Sequence, residues 1–374
     1  MKKNIVLVFI TNVDWAFVSH RIPIALEAKK KGFEVHLIAK GTDLQSFLKD
    51  KGIIFHNWNL NRSSLNPIVI WLNIRQLFSL IKKIRPDLIH AITIKPILMF
   101  GISRIFLKPV SCVYAVAGLG HAFTSKSIKS FSVKILSILF FRFVFNKRNT
   151  HVIFQNNDDL KKISTISNLK NDKFSLIPGS GIDLNYFRPM KINNSKKIVV
   201  LFASRLLKSK GFFEFVNAAK EVKNAEFQIA GKFDDGNDDC IKPEVINKLS
   251  KDGYITYLGM KKDMVELINS ASIVVLPSFY GEGIPKILIE AAGCGKPIIT
   301  TDHPGCRDAV IDQITGILIP PRNSVELKKA INYLINNPNL MKKMGEESRK
   351  LAEKRFNIKD VINTHLKIYN KMLK

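Results

Sequence analysis

Acidic residues are scarce over a long part of this 374-residue chain. Between Lys51 and Asn157 the only carboxylate is Asp87, against 15 Lys or Arg. Residues 1–157 hold 23 basic and 6 acidic side chains, and residues 158–374 hold 35 and 25, for a formal charge of +27. A solvated surface without a special partner mixes signs, so this imbalance points to a polyanion, an anionic membrane or a phosphate-bearing substrate. Cysteine is also scarce. Cys112, Cys240, Cys294 and Cys306 form no C-x-x-C pair, which argues against a zinc site and suits reduced, cytosolic thiols. Long apolar runs are missing too. The nearest, Ile128–Phe145, is interrupted by Lys129, Lys134 and Arg142, so it falls short of the roughly 18 residues of a spanning helix. Ile5–Ile10 follows two lysines, but Asn12 and Asp14 come at once and no small-residue cleavage pattern appears, so a buried first strand is expected there rather than a leader.

What is present is globular. Hydrophobic residues make up 46% and charged residues 24%, which excludes disorder and collagen-like repeats. The length suggests about two domains. Short apolar runs alternate with helical patterns. Strands are expected at Ile5–Ile10, Glu34–Ala39, Ile53–Trp58, Leu88–Ile92 and Val110–Ala115, with helices at Pro23–Lys31, Thr42–Lys51 and Pro67–Ile84 between them. After a Gly-, Pro- and Asn-rich stretch at Pro178–Ser195 the alternation resumes. Strands are expected at Ile198–Ala203, Glu226–Ala230, Tyr254–Leu258, Ile273–Leu276 and Pro297–Thr301, and helices at Gly211–Val222, Pro285–Gly293, Val325–Asn336 and Ile358–Lys374. This alternation predicts an α/β protein of two parallel-sheet βαβ domains. In such folds ligands sit beyond the carboxyl ends of the strands, and with two facing domains the cleft between them is the natural site.

Two segments could carry chemistry. In Ala203–Gly211, Arg205 and Lys210 follow a strand and precede a helix, where exposed N–H groups and mobile cations suit an anion. In Phe279–Ala291, Gly281 and Gly283 allow close backbone approach, Pro285 suits a first helical turn, and Glu282 precedes Glu290 by eight residues. Glu290 falls among apolar helix positions, where a carboxylate is costly unless paired by a sugar hydroxyl pair or a neighbouring lysine. A third segment, Ser125–Arg148, mixes six cations with Phe131, Ile135, Leu136, Leu139, Phe140 and Phe143, which fits either an interfacial helix or a core helix with charged ends. Asp234, Asp235, Asp238 and Asp239 read as a solvated turn, and no D-x-D triplet or other metal site is evident.

The Arg205/Lys210 loop followed by Glu282-x7-Glu290 resembles the retaining glycosyltransferases of family 4, which have the GT-B fold of two Rossmann-like domains facing across a cleft. Pro178–Asp183, Phe187-Arg188-Pro189, Tyr257-Leu258-Gly259 and Pro304-Gly305 before Gly316 agree with it, so the resemblance spans nearly the whole chain. Leu65-Asn66-Pro67, Gly118–His121 and His20–Pro23 carry a narrower likeness to bacterial enzymes that extend undecaprenyl-diphosphate-linked sugars, such as the N-acetylgalactosaminyltransferase of bacterial N-glycosylation.

The resemblance implies an acceptor domain at 1–190, a nucleotide-sugar domain at 191–357 and a final helix, 358–374, that packs back on the first. It implies that Arg205 and Lys210 hold the donor diphosphate, that Glu282 and the Gly283-Ile284-Pro285 backbone meet the donor sugar, and that Glu290 binds ribose. Gly259 and Met260 would face the base, and His121 the donor sugar. The first loop, Thr11–Phe17, lacks the family's paired glycines, so Asn12 or Asp14 is expected to meet the acceptor sugar and Arg21 the acceptor's diphosphate. The implied partners are a UDP-sugar co-substrate, a lipid-linked glycan acceptor and an anionic membrane surface, with a cytoplasmic, peripheral location. No metal cofactor and no nucleic acid are expected, since no nucleic-acid motif is present. Other donors (a UDP-hexose, GDP-mannose, a deoxy amino sugar) and a UDP-N-acetylglucosamine 2-epimerase of related fold remain open.

Overall fold

A computed structural model describes residues 5–61, 64, 66–118, 140–191, 197–234, 237–261 and 263–374. The chain divides into two compact units, Met1–Ser180 with Lys359–Lys374, and Gly181–Ile358.

The first unit holds strands β1 (Ile5–Val13), β2 (Phe33–Lys40), β3 (Ile54–Asn57), β4 (Leu88–Ile92), β5 (Ser111–Val116), β6 (Thr150–Phe154) and β7 (Phe174–Leu176). They form one sheet in the order β3-β2-β1-β4-β5-β6-β7, and every pairing in it is parallel. The central strands are buried on both faces because helices cover both, which is why they read as continuous apolar runs rather than alternating ones. Strands β6 and β7 escape the sequence reading. β6 follows directly on a basic run, and β7 is three residues long.

The second unit holds β8 (Ile198–Ala203), β9 (Ala225–Ala230), β10 (Thr256–Tyr257), β11 (Ile273–Leu276), β12 (Ile298–Thr301) and β13 (Gly316–Ile319), ordered β10-β9-β8-β11-β12-β13 and again all parallel. Its boundary falls ten residues before the 190 expected from the sequence. Ile182 and Phe187 belong to the second core, and Arg349 donates to the carbonyls of Leu184 (3.2 Å) and Phe187 (2.7 Å). The expected stretch 125–139 lies outside the described residues. The part that follows it turns Phe141, Val144 and Phe145 into the first unit's core and leaves Phe143 exposed under the Lys147 ammonium, 4.4 Å from the ring centre.

The last helix, Ile358–Met372, lies on the first unit from Lys359 onward. His365 and Tyr369 on it meet His90 of β4, with the Tyr369 hydroxyl 2.6 Å from His90 Nδ1. Burial pushes His90 well below its ordinary 6.5, reinforced by the neighbouring His365 and the Arg21 charge. Burial and Arg21 likewise bring His365 down to about 3. Both histidines are therefore neutral when folded and protonate near 6.5 when unfolded. Their contribution is complete above pH 6.5 and is lost as pH falls below it. Stability should drop between pH 6.5 and 5 by about 1–2 kcal/mol per histidine. Urea midpoints in that window would show the drop, and a His90→Gln/His365→Gln double variant should flatten it. An unchanged slope in that variant would refute the assignment.

Candidate functional site

The second sheet brings most of the predicted residues to the carboxyl ends of its strands. Arg205 and Lys210 leave the carboxyl end of β8, Gly259 and Met260 that of β10, and Glu282 that of β11. Glu290 sits on the following helix, Lys286–Gly293.

The loop after β8 is fixed by close backbone contact. Lys208–Lys210 form one tight turn, and Gly211 then adopts a left-handed φ of 82° before helix Phe212–Glu221. A Cβ on Gly211 would stand 2.2 Å from the Pro277 carbonyl oxygen at the end of β11. Only glycine lets the β8 loop lie against β11 in this way. The Phe279 amide then donates to Ser209 O at 2.9 Å, and the buried Lys210 ammonium reaches Glu282 Oε1. The Ser278 hydroxyl donates to the same oxygen at 3.0 Å. From the other side, Gly305 (φ 84°) packs on the Glu282–Gly283 backbone, and a Cβ there would be 2.2 Å from Gly283 O. The buried Cys306 thiol nearby is pushed up to about 12 by burial, with Glu282 adding to it, and is inert at neutral pH.

Arg205 also has a carboxylate. Its Nη1 lies 2.7 Å from Asp234 Oδ2, and Asp234 is buried. This corrects the solvated-turn reading of that loop. Asp239 is also engaged, since its Oδ2 accepts from the Ser209 amide (2.9 Å) and hydroxyl. Backbone bonds from Leu206 to Lys232 O (3.1 Å) and from Lys208 to Asp239 O (2.9 Å) stitch the two loops together. Arg205 and Lys210 both stand over the Tyr280 ring, at 5.7 and 5.2 Å. Asp234, Ser278 and Tyr280 do not stand out in the sequence as site residues. Only Asp234 left a signal there, as an acid just past a strand end.

Glu290 is buried, and burial raises its carboxyl above the ordinary 4.5 while Lys286 opposes the shift from 3.3 Å away. The neighbouring-lysine pairing is thus realised. Pro285 stands one place before the helix, as its cap, rather than in its first turn. Ile284 is buried, and Met260 is exposed on a loop whose Gly259 carbonyl accepts from the Gly231 amide at 2.9 Å.

The first unit treats its predicted residues differently. Asp14 is fully buried. Its oxygens accept from the Thr42 amide (2.6 Å), the Thr42 hydroxyl (2.7 Å) and the Trp15 amide (2.7 Å), so it has no open edge for a sugar. Arg21 is buried too. It donates to His20 O at 3.2 Å, and burial lowers its guanidinium to about 10, with Tyr369 opposing. That places it inside the unit rather than on a diphosphate-facing surface. Asn12 does sit at the strand ends. Its amide donates to Thr93 Oγ1 at 3.0 Å, while its Oδ1 is buried without a partner. Thr93, missed by sequence reading, closes β4 at a φ of 69°, which is costly for a β-branched residue and typical of ligand-facing positions. His121 lies outside the described residues.

Residues 187–351 match the family described as glycosyl transferases group 1, and residues 6–156 match glycosyl transferase 4-like. The chain belongs to the glycosyltransferases. A Campylobacter jejuni relative, N,N'-diacetylbacillosaminyl-diphospho-undecaprenol alpha-1,3-N-acetylgalactosaminyltransferase, is 28% identical across 98% of both chains. The Escherichia coli UDP-Gal:alpha-D-GlcNAc-diphosphoundecaprenol alpha-1,3-galactosyltransferase is 27% identical over 87% of this chain and 86% of that one. Among solved structures, a glycosyltransferase from Rickettsia africae superposes with a TM-score of 0.77 at 20% identity, covering 100% of this chain and 99% of that one. Anabaena HepE, solved in complex with UDP, gives 0.76 at 18% identity, covering 98% and 100%. The transferase therefore has the GT-B fold of two Rossmann-like domains.

Gly211→Ala should cost this transferase at least about 2 kcal/mol, because strain at positive φ adds to a clash with rigid backbone. A thermal melt measures the loss, and a melt equal to wild type would show that the loop relaxes freely.

Proposed function

We propose that this transferase moves a sugar, an N-acetylhexosamine in our reading, from a UDP-sugar to an undecaprenyl-diphosphate-linked glycan. The transfer retains anomeric configuration, needs no metal, and serves surface polysaccharide or glycoprotein glycan assembly at the inner face of the cytoplasmic membrane. The observation that carries it is that Arg205 and Lys210 leave one strand end together, both over Tyr280, with Lys210 just before the start of helix Phe212–Glu221. The undecaprenyl-linked acceptors in the names of the two curated relatives support the acceptor class.

In this reading Arg205 and Lys210 take the donor's two phosphates and stabilise the charge that grows on the leaving oxygen. The bond from the anomeric carbon to the phosphate oxygen breaks, and the bond to the acceptor hydroxyl oxygen forms. The hydroxyl proton passes to the departing phosphate. Glu282 and the Gly283-Ile284-Pro285 backbone orient the sugar, Glu290 accepts from ribose, and Gly259 and Met260 flank the base. His121 meets the donor sugar. On the acceptor side Asn12 offers its unpartnered Oδ1, whereas Asp14 acts from inside the unit by tying that loop to Thr42, and Arg21 is enclosed in the unit.

The test is a donor panel of UDP-GalNAc, UDP-GlcNAc, UDP-galactose, UDP-glucose and GDP-mannose followed by melting temperature. A ligand at a hundred times its Kd should add about 2.7 kcal/mol. The shift should appear with UDP-sugars and vanish in Lys210→Ala and Glu290→Ala. No shift with any nucleotide would sink the donor assignment, and conversion of UDP-GlcNAc without acceptor would favour the epimerase.

The raised Glu290 carboxyl adds a pH arm. Ribose binding needs the carboxylate, so UDP affinity should fall as pH drops toward that raised value. Glu290→Gln should weaken UDP and abolish the pH trend. A trend that persists in the variant would assign it elsewhere.

A further inference from the structure

The first two turns of helix Pro67–Ile84 turn apolar side chains outward. Ile68 is 68% exposed, Trp71 56% and Leu72 51%, and together they form one continuous patch on one helix start. This is unusual because the same helix buries Asn73, Leu77 and Ile81 against the unit's core and so already has an inner face. Trp71 is not a displaced core residue. The chain's core tryptophan is Trp58, fully buried with its indole N–H on Asn73 O at 3.0 Å.

The surroundings of the patch are cationic. The Arg75 guanidinium stacks 5.6 Å from the Trp71 ring centre, and Lys82 and Lys83 are exposed further along the helix. The helix itself carries no acid. The patch also lies at a functional end of the sheet. Its loop is tied by Lys95, which donates to the carbonyls of Asn61 (2.7 Å) and Ser64 (2.9 Å). Lys95 follows Thr93, so the apolar turns stand at the carboxyl ends of the strands, the end that holds Asn12 and Thr93.

We infer that Ile68, Trp71 and Leu72 enter the interfacial layer of an anionic bilayer, with Arg75, Lys82 and Lys83 on its headgroups. Tryptophan flanked by arginine fits that layer, where one side is apolar and the other wet. A second protein copy would cover apolar area equally well, but a dimer sets the Arg75, Lys82 and Lys83 of one copy against those of the other unless carboxylates face them. The charge therefore selects anionic lipid. This inference rests on the proposed lipid-linked acceptor. It adds that docking here turns the acceptor end of the first unit toward the membrane.

The test uses the full chain with vesicles of phosphatidylcholine, with and without phosphatidylglycerol. Wild type should sediment with the anionic vesicles and lose binding at high salt, and Trp71 emission should shift to the blue. An Ile68→Ser/Trp71→Ser variant should bind at least about tenfold more weakly, with its melting temperature unchanged. Each Arg75→Gln, Lys82→Gln or Lys83→Gln change should weaken binding by roughly fivefold.

Transfer to a short-chain, water-soluble diphosphate-linked acceptor should be unaffected by the serine changes. This arm separates the two readings, because absence of transfer to any acceptor sinks the proposed function and leaves the vesicle result readable. Equal vesicle binding by wild type and the serine variant would overturn the inference. So would no wild-type binding at low salt, or a dimer in sedimentation velocity that the serine variant dissociates.

Discussion

The proposed donor site of the second unit depends on one steric condition. The β8 loop must touch the end of β11 with nothing between the two backbones, and Gly211 against Pro277 O meets that condition. Everything else follows from this approach. The Phe279 amide finds Ser209 O, Lys210 reaches Glu282, and Ser278 completes the cluster. Hydrogen bonds from Thr300 and Thr301 on β12 hold Leu276 O and Ser278 O from behind. The site is thus a product of three adjacent strand ends, and loop composition alone would not hold it.

Its electrostatics are arranged as ion pairs. Arg205 is matched by Asp234 and Lys210 by Glu282, so two cations that suit a diphosphate are not left bare. A buried cation without a partner would cost several kcal/mol, more than the fold of one loop repays. The paired arrangement holds both cations in place at the strand end. Tyr280 adds a ring face to both and keeps their orientation without adding charge.

The strands and the proposed donor motif were legible in the sequence for a physical reason. Doubly covered strands write themselves as apolar runs, so Ile198–Ala203, Leu88–Ile92 and Ile273–Leu276 match in full. The Arg205, Lys210, Glu282 and Glu290 set keeps its spacing because each lies a fixed distance past a strand end. What was hidden depends on distance in space rather than on sequence. Asp234 looks like any loop acid until β9 is set beside β8. Thr93 looks like any threonine until its φ is known. Asp14 and Arg21 looked open because polarity suggests exposure, yet both are enclosed by elements far along the chain, Thr42 for one and the final helix for the other.

The scarcity of acids now has a structural side. The single carboxylate between Lys51 and Asn157, Asp87, accepts from the Val6 amide at 2.8 Å and so clamps the start of β1 to the entry of β4. Asp14 holds the Thr42 loop, and Asp159 accepts from Asn156 Nδ2 at 2.8 Å inside a buried helix start. Glu34 is spent on His36 at 2.8 Å. These carboxylates answer internal donors, and so they do little to neutralise the lysines and arginines outside. A surface with carboxylates for solubility alone would scatter them among its bases. Asp43 and Asp50 stay exposed and Glu27 pairs with Lys30, so only a few of the unit's carboxylates are left to balance the bases on its surface.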